Sequence, residues 1–177
     1  MTQPTLLDPQ QFLARKSFVE LNARERAQAL LDEGSYRELL GPFERLESPW
    51  LLMQGVVPQA DDGLIVARGK IGGTNSVILA IEGQFQGGGI GEVSGAKIAA
   101  ALDLALEDAK KGHPIQVVLL LETGGVRLQE ANLGLEAIAE INSSLIALRQ
   151  YVPVVGVIAG MVGCFGAAAG DVRAAAR

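Results

Sequence analysis

The sequence predicts an α/β fold whose strands are joined by helical crossovers. Three observations carry this prediction. Residues 115–122 and 153–160 are continuous aliphatic runs that read as buried strands. Residues 96–111 and 129–151 repeat apolar positions at helical spacing, and each helix precedes or follows one of those strands. Glycine-rich elbows follow the strands at three places, where α/β folds bind ligands.

Residues 1–50 are polar and read as a helical arm ahead of a main domain over 51–177. Asn22 and Glu25 have the spacing of a capping box for "ARERAQALLDE", Leu30 and Leu31 supply a modest apolar stripe, and Gly34 reads as the C-terminal stop. "GPFERLESP" at 41–49 reads as a loop. Residues 64–71 and 76–85, separated by "GGTN", form a predicted hairpin. The glycine-rich stretch 86–95 leads into the helix at 96–111, with Ser94 as its cap and Ile98, Leu102, Ala105 and Leu106 on its apolar side. Gly112 and Pro114 close that helix. Leu133, Ile138, Ile141, Leu145 and Leu148 make the stripe of the next one.

Composition narrows the classes of function. The 177 residues are 49% hydrophobic and 20% charged, as in a globular domain or part of a larger one. A net charge of −5, with no basic stripe, argues against nucleic acid. Apolar runs are broken well short of a membrane span, and "MTQPTLLDPQQFLARKSF" lacks the basic start and apolar block of a secretory signal. Cys164 is the only cysteine, which excludes an internal disulfide and favours a reducing cytoplasm. Aromatics are 5% of the chain while 22 residues are glycine, so the core relies on aliphatic side chains and close backbone approaches.

The chemistry on offer is dominated by backbone. Gly124 and Gly125 end the strand at 115–122. Two amides converging at a helix start cradle an anion, and such a cradle suits a developing enolate or oxyanion. Removing one such donor typically costs about 2.7–4 kcal/mol of barrier. A plain tight turn is the competing reading. "GCFG" at 163–166 is a second elbow of the same kind. "GGGIGEVSG" at 87–95 misses the G-x-G-x-x-G register, and no phosphate-loop lysine precedes a Ser or Thr. His113, the single histidine, falls in a turn before Pro114 and reads as a surface residue. Cys164 therefore has no histidine to activate it and reads as a small filler. No cluster has metal-ligand spacing. Arg127 and Glu130 either pair with each other or orient the elbow, against the plainer reading as a solvated helix start; Glu92 reads as a helix-start acid. Amides with few proton-transfer groups suit decarboxylation of a β-keto-type thioester. Loss of CO2 leaves an enolate that the amides stabilise, and water can reprotonate it.

"GGGIGEVSGAKI" (87–98), "ETGGVRLQEANLGL" (122–135) and "GMVGCFG" (160–166), with the N-terminal "SFVELNARERAQALLDEGSYRELLGPFERLESPWL", resemble biotin-independent malonate decarboxylase β subunits. These belong to the acetyl-CoA carboxylase carboxyltransferase group of the crotonase-like superfamily, whose "SGGAR-x-QE" signature is similar to residues 123–130 here. The resemblance spans nearly all of residues 12–166. It implies a crotonase-like ββα spiral and pairing with a γ subunit in a hetero-oligomer. The implied substrate is a malonyl thioester on the phosphopantetheine-type arm of an acyl carrier protein, with no cofactor or metal held by this chain. Carried over residue by residue, it makes Gly124, Gly125, Gly163 and Cys164 the catalytic candidates. Gly88, Gly89, Gly91, Thr123 and Arg127 become the substrate-binding ones. The zinc ribbon of bacterial acetyl-CoA carboxylase β subunits has no counterpart here, which favours the decarboxylase branch. The tail "AAAGDVRAAAR" replaces an expected helix, so the spiral reads as truncated at its C-terminus. A biotin-dependent acyl-CoA carboxyltransferase subunit and a non-catalytic assembly subunit remain alternatives.

Overall fold

A computed structural model describes residues 16–165; the Ala-rich tail, Gly166 and the first fifteen residues lie outside the described residues. Leu64–Ile71 (β2) and Thr74–Ile81 (β3) form the predicted hairpin, in register from Leu64 opposite Ile81 to Ile71 opposite Thr74 across a two-residue Gly72–Gly73 turn. Gln116–Leu121 (β5) and Val154–Ile158 (β7) continue the sheet in parallel beyond β3, while Arg37–Leu39 (β1) adds an antiparallel edge on β2. The order is β1-β2-β3-β5-β7.

The central strands are buried on both faces, which is why their sequences run aliphatic without alternation. On one face Leu64, Val66, Leu79, Val117, Leu119 and Leu121 meet two helices, Glu92–Lys110 (α3) and Asn132–Leu148 (α4). These helices present Ile98, Leu102 and Ala105, and Ile138, Ile141, Leu145 and Leu148, largely the predicted stripes. Full burial of one such leucine contributes roughly 1.5–3 kcal/mol relative to exposure. On the opposite face Ile65, Ala67, Ile78, Ala80, Val118 and Leu120 pack against Ala23–Leu30 (α1) through Ala23, Ala27 and Leu31.

Two short strands were not foreseen. Gly89–Ile90 (β4) and Gly125–Val126 (β6) pair in parallel as a separate two-stranded sheet, Gly89 opposite Gly125. β3-β4-α3 and β5-β6-α4 are thus successive ββα units, each placing one strand in the large sheet and one in the small. Two-residue strands of glycine and one aliphatic residue carry no periodicity, so pattern alone misses them.

Several boundaries also differ. The capping box forms, Glu25 N donating to Asn22 Oδ1 at 2.8 Å and Asn22 N to Glu25 Oε2 at 3.0 Å. The helix it opens ends at Leu30 rather than Gly34, because Leu31 turns into the core and Asp32 N bonds to Lys70 O of the hairpin at 2.7 Å. The segment read as a helical arm also holds β1 and the five-residue helix Pro49–Met53 (α2). Ser94 is not the cap of α3: the helix begins at Glu92, and the Ser94 hydroxyl accepts from Gly91 N at 3.0 Å within the first turn. β7, expected as buried, is the outer strand of the sheet among the described residues, with Val155 and Ile158 51% and 56% exposed. No helix among the described residues is long and apolar enough to cross a membrane.

Candidate active site

The three glycine-rich segments converge on Thr123. β4 lies beside β6, so the first loop runs along the second elbow. Gly88 makes this possible: its φ is +67°, and a Cβ there would collide with the Glu122 carbonyl and the Thr123 backbone. Gly124 N donates to Gly87 O at 2.8 Å. The third loop pairs with the other side of the same turn, as Thr123 N donates to Gly163 O at 2.7 Å and Phe165 N to Thr123 O at 3.0 Å. This is a parallel bridge between Thr123 and Cys164. One end of the fold therefore gathers Gly87 and Gly88, Thr123 to Gly125, and Gly163 with Cys164.

The Gly-Gly elbow does not open a helix, contrary to the amide cradle expected there. It enters β6, then a 3₁₀ turn at Leu128–Glu130, and α4 starts only at Asn132. Its two N–H groups have partners within the chain. Gly124 N meets Gly87 O, and Gly125 N, buried with φ +104°, donates to the Thr123 hydroxyl at 3.0 Å. Gly124 and Gly87 are exposed, and both flanks carry exposed apolar side chains: Leu128 after β6, Met161 and Phe165 in the third loop.

The charged residues around the elbow face inward and answer one another. Arg127 is only 2% exposed. Its Nη1 lies 2.8 Å from Asp62 Oδ1 and 2.9 Å from Glu130 Oε1, while Nη2 donates to Gly89 O at 3.0 Å, and the guanidinium stacks over Phe85. Of the two readings open for Arg127 and Glu130, the pairing one holds, and the guanidinium points into the chain. Each carboxylate also takes a backbone amide at the start of α3, Glu130 from Glu92 N and Asp62 from Ser94 N at 2.8 Å. That helix terminus is occupied by side chains and does not offer its amides to a phosphate. Burial pushes the Asp62 carboxyl above its usual value, the opposing pull of Arg127 and Ser94 N being smaller. Burial acts the same way on Glu130, but the pull of the nearby Ser48 hydroxyl, the Glu92 amide and Arg127 outweighs it and holds Glu130 below its usual value.

Glu122 is a buried residue that pattern reading passed over. Its Oε2 takes Arg26 Nη1 of α1, and its Oε1 accepts from Met161 N at 2.8 Å and Val162 N at 3.4 Å. Among the nine residues singled out from sequence, Gly88, Gly89, Gly91 and Arg127 hold loops together. A Cβ on Gly91, for instance, would strike the Glu130 carboxylate. Thr123, Gly124, Gly125, Gly163 and Cys164 lie at the convergence point, with Cys164 half-buried against the core. Arg26, Asp62 and Glu122 were missed because each pairs across a long stretch of chain, and single charges in sequence carry no partner. His113 is exposed, 3.9 Å from Asp108 and far along the chain from the elbows. A cavity of about 390 Å³ lies elsewhere, between β1–β2 and α3. Leu39, Val66, Leu104 and Lys97 line it; burial lowers the pKa of Lys97, whose ammonium donates to the carbonyls of Asp61 and Leu64, both at 2.7 Å.

Residues 19–174 match the model of the carboxyl transferase domain. The chain is 43% identical to the malonyl-S-ACP:biotin-protein carboxyltransferase of Malonomonas rubra, over 87% of this chain and 52% of the relative. It superposes on a subunit of a Pseudomonas malonate decarboxylase hetero-tetramer in complex with malonate at a TM-score of 0.88 and 63% identity, covering 93% of this chain and 59% of that one. A Pseudomonas malonate decarboxylase hetero-dimer gives a TM-score of 0.75 at 57% identity, over 90% and 62%. The crotonase-like α/β fold implied by the sequence resemblance is the fold observed. The chain spans about half the length of the curated relatives it matches.

Proposed function

The chain belongs to the carboxyl transferase domain family, and from that premise we propose that it acts in a malonyl-thioester decarboxylase, as the β-type subunit. The substrate is malonyl thioester on the phosphopantetheine-type arm of an acyl carrier protein, and the products are acetyl thioester and CO2. A γ-type subunit of the same fold completes the site in a cytoplasmic hetero-oligomer. No biotin or metal enters the step. The arm read over 1–50 and the domain read over 51–177 meet, among the described residues, where α1 packs on the sheet that carries the elbows.

The observation that carries this reading is the meeting of three glycine-rich loops at Thr123, with the buried charges Arg26, Asp62, Glu122, Arg127 and Glu130 paired inside the chain. A site so built presents backbone and apolar rims and, among the described residues, no histidine or unpaired buried carboxylate beside the elbow. Breaking the bond between the α-carbon and the carboxylate releases CO2 and leaves the electron pair as an enolate. The thioester oxygen then takes the negative charge, which amides stabilise more strongly in the transition state than in the ground state. Gly124 is the exposed residue of the elbow, and its amide is the one the oxygen reaches first. In the unliganded chain it donates to Gly87 O, so binding exchanges one hydrogen bond for another at small net cost. Gly125, Gly163 and Cys164 complete the wall. Water supplies the proton that converts the enolate to the acetyl group.

The test is release of CO2 and formation of acetyl thioester from malonyl carrier protein by the full-length protein with its partner subunits, with and without avidin. Turnover insensitive to avidin supports the reading, and no turnover ends it. The relative from Malonomonas rubra, by its name, passes the carboxyl group to a biotin protein. Turnover that requires such a protein and stops with avidin identifies that second reaction here.

A further inference from the structure

We infer that Glu122 is the positioning residue of the third loop, and that Arg26 of the first helix holds its carboxylate in place. Its carboxylate bridges two parts of the chain: Arg26 Nη1 on one oxygen, and the consecutive amides of Met161 and Val162 on the other. The ion pair is buried, the Arg26 and Glu122 side chains being 4% and 8% exposed, while the two bonds to the loop amides are half-buried. Arg26 is itself fixed, with Nε donating to Phe18 O at 3.1 Å and Nη2 to Val19 O at 2.9 Å.

The surroundings are shaped to admit this carboxylate. A Cβ on Gly83 or on Gly160 would collide with it, and Gly160 holds φ +101°, where side chains are strained. Glu122 and Thr123 then grip the third loop from two directions. The side chain of Glu122 takes the amides of Met161 and Val162, and the backbone of Thr123 pairs with Gly163 and Phe165. Together they set the angle at which Gly163 and Cys164 meet the elbow. A carboxylate bonded to amides is an internal anion, so the loop is organised before any substrate anion arrives. The consequence for turnover rests on the proposed decarboxylation; the placement of the loop does not.

The experiment compares Glu122→Asp and Glu122→Gln in the full-length protein assembled with its partner subunits. Aspartate keeps the charge but withdraws both acceptors by one methylene; glutamine keeps one acceptor at the original reach for the loop amides and turns its NH2 group toward Arg26. Amide hydrogen exchange of Met161 and Val162 should accelerate about tenfold in Glu122→Asp and stay within about threefold of the parent in Glu122→Gln, with Leu102 and Ala105 of α3 unchanged in both. The kcat should fall about tenfold in Glu122→Asp with KM within about threefold, and glutamine should restore most of it. Parental exchange in Glu122→Asp, equal damage in both variants, or acceleration spread into α3 would each overturn the proposal. A parent complex that releases no CO2 defeats the decarboxylase reading alone, because the exchange comparison still decides the role of Glu122.

Discussion

The amide of Gly125 donates to the hydroxyl of Thr123 at 3.0 Å, and both residues are buried. A turn that closes on its own side chain holds its shape without help from outside. Thr123→Val keeps the volume but removes the acceptor, leaving a buried N–H without a partner. It should destabilise the protein by about 1–3 kcal/mol, read from the denaturant midpoint at unchanged slope. Thr123→Ser, which keeps the oxygen, should lose less.

Gly124 and Gly125 should respond differently to substitution. A Cβ on Gly124 meets only Gly87 O, at 3.1 Å, and its backbone lies outside the left-handed region. Gly124→Ala should therefore fold with near-parental stability while turnover drops about tenfold or more, since the methyl stands over the exposed amide. Gly125→Pro removes a donor and cannot adopt φ +104°. Turnover should fall beyond detection, and near-parental activity would remove Gly125 from the site.

Arg127 is the shared cation of two buried carboxylates. Lysine offers a single point charge where the guanidinium forks between Asp62 and Glu130. Arg127→Lys should cost roughly 3–5 kcal/mol of stability, close to the loss in Arg127→Met, because both variants leave a buried carboxylate unanswered. Thermal unfolding of the three proteins side by side checks this.

The same cluster gives a pH signature. Glu130 is held below its ordinary value of 4.5, so its contribution to stability is full above that value and is lost as pH falls through the lower, folded one. Asp62 is raised above its ordinary 3.8, so it acts oppositely, taking up a proton more readily in the folded chain than in the unfolded one. Glu130→Gln should destabilise at neutral pH by about 1.5–3 kcal/mol, and the gap to the parent should close in acid. Denaturant midpoints between pH 7 and about 3 follow this directly; a gap that stays constant would show that Glu130 gains nothing from its charge.

Much of the fold was readable because its signals are local. The hairpin at 64–81, the strand at 116–121 and the stripes through Leu102 and Leu145 follow from periodicity and turn residues. The ββα repeat was reached through the resemblance, since β4 and β6 are too short to show a period. The meeting of the elbows at Thr123 follows from parallel pairing of segments far apart in the chain, which sequence spacing does not encode. The inward turn of Arg127 was half legible: its spacing to Glu130 was visible, and Asp62, 65 residues earlier, was not. The exposure of β7 escaped detection because Val, Ile and Gly look the same in an edge strand as in a central one.

The bond between Arg26 and Glu122 joins positions 96 residues apart. During synthesis Arg26 emerges long before its carboxylate, so α1 cannot settle with its guanidinium neutralised until β5 has formed. Closing so long a loop costs entropy before any contact repays it, which places this step late and makes it slow. The elbow of the candidate site is thus finished by a helix made long before it, and α1 stays without its anchor until Glu122 has been made.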